Sequence, residues 1–313
     1  MRYFTEQQVR ELADVDDVIR EINAAFAKDF STSVNMPART SLELSGGAVL
    51  LLMPCYDRDL GAAGVKAVTV SREAGVNASY DLLDPRTGLA LARMEANYLT
   101  DLRTAATSAV ATDLLARKDA DTLGIFGTGR QATAHLTVLR HVRRFRSVLV
   151  CGSPRTDVNA FCARMKSEKA AGKGIEISAA DAETCARESD VICTCTNSPV
   201  PLFDGYGLRE GTHLNLVGAF QPHTREIDDE TARRARIFVD TCAALDEAGD
   251  LLIPIGNGAI TRASILGDLH EIACGKKPAR TTREEITLFK SVGCALEDLV
   301  TARLIYNKAQ ASR

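Results

Sequence analysis

The sequence predicts an α/β fold in two parts. One is a mostly parallel sheet with helices on both faces; the other is a discontinuous α+β domain drawn from both ends of the chain. Three observations predict it. From residue 121 onward, short apolar runs alternate with helical stretches, the pattern of repeated βα units. Before that, residues 40–95 read as strands broken by turn residues. After about residue 280 the chain reads as one long helix that leaves the βα repeats and returns to the first part. The expected boundaries are 1–116 with 286–313 for the discontinuous domain, and 117–285 for the parallel-sheet domain.

Each element has its reason. Residues 5–13 (TEQQVRELA) and 15–30 (VDDVIREINAAFAKDF) carry helical apolar spacing. Residues 40–54 form a hairpin turning at Ser45-Gly46-Gly47, and residues 62–71 (AAGVKAVTVS) form another strand. Residues 77–95 give two strands around DPRTG, where Pro85 presets the turn and Gly88 can take a positive φ. Thr100 is expected to cap a small-residue helix, TDLRTAATSAVATDLLARK. Next come strand 122–127, helix 130–143, strand 147–152 and a helix near 156–171. Strand 175–180, a short helix at 181–189 and strands at 191–196, 213–218 and 236–241 follow.

Composition narrows the function. The 313 residues are 45% hydrophobic and 25% charged with net charge −3, an ordinary globular profile. No basic block points to nucleic acid, and the longest apolar runs are strand-sized, too short for a membrane span. The N-terminal stretch lacks the apolar core of a signal peptide, so a cytoplasmic protein is expected. Nine scattered cysteines, with no CxxC and no Cys/His pair at zinc spacing, read as reduced packing residues, Cys294 among them in a small-residue helix. No metal is expected. His135, His141 and His270 lie in expected helices and read as surface or packing residues.

The turn Gly124-Ile125-Phe126-Gly127-Thr128-Gly129-Arg130-Gln131-Ala132 follows a strand and opens a helix. Gly127 permits the tight turn, Gly129 allows backbone to approach a pyrophosphate, and Ala132 is the small residue where helix meets strand. The helix N-terminus offers N–H groups and a positive dipole. A Rossmann dinucleotide-binding domain follows from this context, with Thr128, Arg130 and Gln131 as further cofactor contacts. The next strand ends in Gly152-Ser153-Pro154-Arg155-Thr156, without the acid that would hold a ribose 2′-hydroxyl. Ser153, Arg155 and Thr156 suit a 2′-phosphate, so NADP(H) is expected, with NAD(H) as the alternative. Thr196 and Asn197 end a parallel strand where ligands collect. Asp240 either has a similar place or caps the next helix.

Three cations are unusual: Arg39 after Met36-Pro37, Lys66 inside GVKAVTV, and Arg103 in the first turn of a helix of Ala, Thr, Ser and Val. Buried cations need partners. The three read as salt-bridge residues or as a carboxylate-binding cluster. The strand LNLVGAFQPHTREID at 214–228 poses a separate question, since its small-residue end suits a catalytic group but carries Phe220 and no acid.

These segments resemble the ornithine cyclodeaminase/mu-crystallin family over nearly the whole chain. The resemblance rests on LLMP at 51–54, GVKAV at 64–68, LTDLRTAATSAVA at 99–111, GIFGTGRQA at 124–132, LVGAFQPHTREID at 216–228 and SVGCALEDL at 291–299. It implies a homodimer whose discontinuous domain binds substrate and dimerises, and it implies that Arg39, Lys66 and Arg103 bind the substrate carboxylate. Lys66 and Arg103 are also the expected catalytic residues. Val292-Gly293 corresponds to the family's Val-Gly beside the cofactor, and Val217 joins the cofactor contacts. Met53, Phe220, Gly293 and a loop at 72–80 are expected to line the substrate pocket.

The departures are informative. Phe220 stands where true cyclodeaminases have an Asp, Leu51 where they have a Glu, and Thr224 where they have a Lys. Reduction of a cyclic imine needs orientation more than a base. The expected activity is therefore NAD(P)H-dependent reduction of Δ1-pyrroline-2-carboxylate or Δ1-piperideine-2-carboxylate, in proline metabolism. Alternatives are ornithine cyclodeamination or hydroxyproline dehydration, an alanine-dehydrogenase-type reaction, or a non-enzymatic NADPH-binding role. His223 and Thr224 are candidate proton donors.

Overall fold

The computed structural model describes residues 1–71 and 73–311, apart from the Ser31 side chain. They fall into two compact units, Met1–Thr107 with Gly293–Arg313, and Ser108–Val292.

In the first unit, seven strands are β1 (Arg2–Phe4), β2 (Val34–Asn35), β3 (Thr40–Glu43), β4 (Val49–Asp57), β5 (Ala62–Ser71), β6 (Gly75–Leu83) and β7 (Ala90–Glu95). They form one sheet in the order β1-β7-β6-β5-β4-β2, with β3 beside β4. The hairpin turn between β3 and β4 uses Gly46 and Gly47 at φ +71° and +73°. Thr5 caps helix Glu6–Leu12 in a reciprocal capping box with Gln8, and Asp14 caps Val15–Phe26. Along β5 the faces alternate, and Ala62, Gly64, Lys66 and Val68 point inward. Helix Ala295–Ala311 packs on the inner face of β4, β5 and β6. On the other face Leu42, Leu52 and Tyr56 remain exposed.

Three expectations are corrected here. Helix Asn97–Leu115 starts three residues earlier than Thr100. Thr100 therefore lies inside it, its hydroxyl donating to Ala96 O at 2.8 Å, and Arg103 sits in the second turn. The supposed loop at 72–80 is largely β6, except that Arg72 lies outside the described residues. The long helix after residue 280 is two elements: strand Ile286–Lys290, then helix Ala295–Ala311, with Cys294 just before the helix. A fully buried run such as ITLFK has no polar face to reveal its period.

The second unit holds β8 (Thr122–Phe126), β9 (Ser147–Cys151), β10 (Glu176–Ala179), β11 (Val191–Thr194), β12 (His213–Leu216), β13 (Ala235–Val239), β14 (Ile265–Asp268) and β15 (Ile286–Lys290). All pair in parallel, in the order β10-β9-β8-β11-β12-β15-β13-β14. Because β15 pairs on both sides, with β12 and β13, residues 286–292 belong to this unit. Neighbouring residues feed opposite cores: Cys193 packs with Leu123, Ile125 and Val150, while Ile192 packs with Phe126, Leu214 and Val239. The strand order reverses at β8, which lies between β9 and β11. Such a switch point leaves a crevice at the carboxyl ends of the strands.

Candidate active site

The cation-bearing region of the first unit is built on one buried helix and one strand. Residues 102–112 of helix Asn97–Leu115 are all buried. Small side chains permit that, and the hydroxyls of Thr104 and Thr107 bond back to Thr100 O and Arg103 O at 2.7 and 2.9 Å, which satisfies them without water. Lys66 is 1% exposed and Arg103 4%, so each needs a counter-charge. Helix Ala295–Ala311 supplies two. Lys66 Nζ donates to Asp298 Oδ1 at 2.9 Å, and Arg103 Nη1 pairs with Glu297. Arg103 Nε lies 3.0 Å from Asp298 Oδ1 but out of line for a hydrogen bond.

Gly293 organises this cluster. Its φ is +77°, and an added Cβ would lie 2.5 Å from Arg103 Nη1. Its carbonyl accepts from Arg39 Nη2 at 2.9 Å. One glycine thus touches both guanidinium groups and admits no side chain without displacing Arg103. Met53 is buried and pairs in register with Lys66 across β4 and β5. The electrostatics follow from burial. Desolvation pushes Lys66 down to about 8, Arg103 adds to the fall, and Asp298 opposes it. Burial also opposes the Arg103 charge, but Asp298 and Glu297 outweigh it and hold that group above its ordinary value.

Glu297 and Asp298 were not singled out by sequence reasoning. The available signal was two adjacent acids in ALEDL, within a helix otherwise short of polar residues at its start.

In the second unit, the glycine turn after β8 is shaped for a dinucleotide. Gly127 has φ +117°, and a Cβ there would sit 2.7 Å from Cys195 O. A Cβ on Gly129 would meet nothing within 4 Å, so ligand atoms have open access. Helix Arg130–Leu139 begins at Gly129 with no side-chain cap. A helix N-terminus carries a positive dipole end that favours an anion. Thr128, Arg130 and Gln131 flank that start. At the end of β9, Ser153, Arg155 and Thr156 are exposed, with the Thr156 hydroxyl donating to Ser153 O at 2.8 Å. The nearest acid, Asp157, accepts from Ala160 N and caps helix Val158–Ser167. His135 is no ligand: it is buried, bonded to Gln131 O and Ser108 Oγ, and burial lowers its pKa to about 4. His141 lies in a turn rather than a helix, and His270 is largely buried in helix Leu269–Ala273.

The end of β12 answers the question raised by LNLVGAFQPHTREID. Phe220 is 40% exposed, and His223 is exposed beside it. Thr224 bonds back to Gln221 O. An acid is present after all: Glu226, eight residues beyond Gly218 in this same loop, is buried and bonded to the ends of β11 and β12. Sequence reasoning passed over it because nothing local marks a loop glutamate as buried. Thr196 bonds to Glu226, and Asn197 is exposed next to it. Asp240 caps no helix; its Oδ2 accepts from Ser291 Oγ at 3.0 Å and Val292 N at 2.7 Å, fixing the segment that carries Val292.

The family model for the ornithine cyclodeaminase/mu-crystallin family matches residues 3–313. The chain belongs to that family. Among curated members, it is 36% identical to a Δ1-pyrroline-2-carboxylate reductase of Bacillus cereus, covering 99% of this chain and 97% of the relative. Among solved structures, Thermococcus litoralis Δ1-pyrroline-2-carboxylate reductase in complex with NADH and L-proline has a TM-score of 0.95 at 37% identity, covering 100% of this chain and 98% of that one. An archaeal alanine dehydrogenase dimer with bound NAD has a TM-score of 0.92 at 30% identity, covering 100% and 97%. Family membership agrees with the α/β architecture and the glycine turn described above.

Proposed function

We propose that the protein is a nicotinamide-dependent reductase of a small cyclic imino acid, Δ1-pyrroline-2-carboxylate or Δ1-piperideine-2-carboxylate, yielding proline or pipecolate. The observation that carries the reading is the end of β12. Phe220 is exposed there, while the acid of the same loop is buried and fully engaged. A diamine substrate needs a carboxylate to take its proton and steer its amino groups. A cyclic imine does not, and an apolar Phe220 suits its ring.

Within this reading, Arg103, Lys66 and Arg39 hold the substrate carboxylate by charge-assisted hydrogen bonds. Arg103 brings its guanidinium fork to that carboxylate, with Glu297 and Asp298 as its partners within the protein. Met53 and Gly293 complete that surface. Bound NAD(P)H supplies the hydride. Gly127, Thr128, Gly129, Arg130 and Gln131 receive the pyrophosphate, and Thr196, Asn197, Val217 and Val292 contact the nicotinamide portion. Ser153, Arg155 and Thr156 favour NADP(H) by accommodating a 2′-phosphate; two solved relatives contain NADH and NAD. The exposed apolar row of Leu42, Leu52 and Tyr56 is a suitable homodimer face, as one such relative is a dimer.

The test is a substrate panel. Purified protein is supplied with NADPH or NADH and either cyclic imine, or pyruvate with ammonia. In a parallel arm it is supplied with NAD and ornithine or hydroxyproline. NADPH oxidation with the two imines, forming proline and pipecolate, is expected, with no ammonia from ornithine. Phe220→Asp should impair imine reduction, because an ionised carboxylate there repels the carboxylate of the arriving substrate. Ammonia release from ornithine faster than imine reduction overturns the reading.

A further inference from the structure

Both side-chain oxygens of Glu226 are hydrogen-bonded. It is 0% exposed. Its Oε1 accepts from Thr196 N at 2.8 Å and Thr196 Oγ1 at 2.7 Å. Its Oε2 accepts from Thr194 Oγ1 at 2.7 Å, Gly218 N at 2.8 Å and Ala219 N at 3.2 Å. The donors come from two strand ends, those of β11 and β12. Neither end bonds the other by a regular ladder beyond Val217 N to Thr194 O, so the carboxylate takes over where the sheet stops.

The glutamate is itself held. Its backbone N–H donates to Asp250 Oδ1 at 2.6 Å, and Asp250 Oδ2 accepts from Lys290 Nζ at 2.9 Å. Asp250 and Lys290 are also 0% exposed. Lys290 ends β15, so one chain of contacts ties together the carboxyl ends of three adjacent strands. The fit is close. A Cβ on Gly218 would lie 1.8 Å from Thr196 O and 2.6 Å from Glu226 Oε1, which explains the glycine.

Five donors converge on two oxygens, and an ionised carboxylate offers only acceptors. A neutral acid or an amide would bring a donor of its own into that ring. Burial and the Asp250 charge raise the Glu226 pKa above its ordinary value, outweighing Lys290 and the Thr196 and Thr194 hydroxyls, which lower it; the case for the carboxylate form is the geometry of five converging donors. Packing alone would be met by an apolar side chain at less desolvation cost. A buried ionic hub is instead suited to fixing the directions of two loops, Thr196–Asn197 and Gly218–Phe220, with little freedom.

We propose that Glu226 is a positioning residue for imine reduction: its carboxylate locks the ends of β11 and β12 so that Thr196, Asn197 and Phe220 present one fixed surface to the bound nicotinamide. This rests on the reductase reading above, and it assigns Glu226 no contact with substrate or cofactor.

Glu226→Gln and Thr196→Val test it, the second as a milder cut in the same network should the first not fold. Three readouts are taken beside the wild type: amide hydrogen exchange of the cofactor-free protein, NADPH binding by fluorescence, and steady-state reduction with NADPH deuterated at C4. In Glu226→Gln, exchange at Thr196, Gly218 and Ala219 should quicken. Its kcat should fall roughly 10–100-fold, the scale of a misplaced reacting group, while KM for the imine changes little. The deuterium isotope effect should grow as hydride transfer becomes limiting. Thr196→Val should move every readout the same way, to a smaller extent. Faster exchange with wild-type kcat and isotope effect in the folded variants would make Glu226 a purely structural tie and overturn the proposal. Unchanged exchange in a folded Glu226→Gln overturns it too. A wild type that reduces no imine refutes the reductase reading alone, because exchange and NADPH binding still report on the Glu226 network.

Discussion

Both units bury acids beside lysines, yet they satisfy them differently. In the second unit, Glu226 receives five hydrogen bonds, three of them from backbone N–H groups. In the first, Glu297 and Asp298 face the side chains of Arg103 and Lys66, and the buried Arg103 Nε has no aligned acceptor. Backbone donors cannot swing away as side chains do, and both Glu226 oxygens already have donors. Side-chain ion pairs can open and trade partners, and the 3.0 Å contact of Arg103 Nε with Asp298 Oδ1 is not aligned as a hydrogen bond. On the readings proposed above, the difference separates a hub that shapes a surface from a cluster set to take up an anion.

The largest expected effect comes from removing the fork of Arg103. Arg103→Leu should lower kcat/KM by about 2–4 kcal/mol, the scale for a desolvated charge-assisted pair, with NADPH affinity nearly unchanged. Since the change also leaves Glu297 and Asp298 short of a cation, Arg103→Lys serves as the folded control that keeps charge but loses the fork. Normal turnover of carboxylated imines by either folded variant would make the cluster structural.

Gly293→Ala comes next. It adds a methyl 2.5 Å from Arg103 Nη1 at a positive φ, and strain of this kind costs about 1–3 kcal/mol. Weaker substrate binding at unchanged NADPH affinity is expected. An equal loss of both would show that the glycine serves general folding rather than the guanidinium pair.

The third prediction concerns pH. Lys66 titrates at about 8 instead of its ordinary 10.5. If its charge holds substrate, kcat/KM should decline as pH rises through about 8, and Lys66→Arg should remove that limb. Stability should move the other way. Between about 8 and 10.5 the unfolded chain binds more protons at this lysine than the folded one, so its contribution to stability grows with pH across that window. Parallel profiles of activity and melting would contradict a binding role for the Lys66 charge.

The smallest effect is expected at Arg155. The side chain is exposed, and exposed ion pairs are worth about 0–1 kcal/mol. Arg155→Ala should weaken NADPH binding several-fold by that estimate and leave NADH binding alone. Equal losses, or a wild-type preference for NADH, would remove the assignment to NADP(H).

By itself, the sequence determined the local and the periodic. The glycine turn at 124–132 was legible because backbone geometry and close approach admit few residues there. The hairpin turning at Ser45-Gly46-Gly47 and the one around residues 84–88 were legible because alternation and turn residues act over short spans. Lys66 and Arg103 stood out because a cation in an apolar run contradicts its surroundings. What surrounds them was decided only by tertiary structure. Glu297 lies 194 residues from Arg103 in the chain and Asp298 lies 232 from Lys66, and no local signal links such positions. The strand at 286–290 was read as helix because a fully buried run has neither period to show; pairing with β12 and β13 settled it. Glu226 looked like an ordinary loop residue until folding brought the ends of β11 and β12 around it. A buried charge is stable only where its partners converge, and that convergence is set by the packing of distant strands rather than by neighbours in sequence.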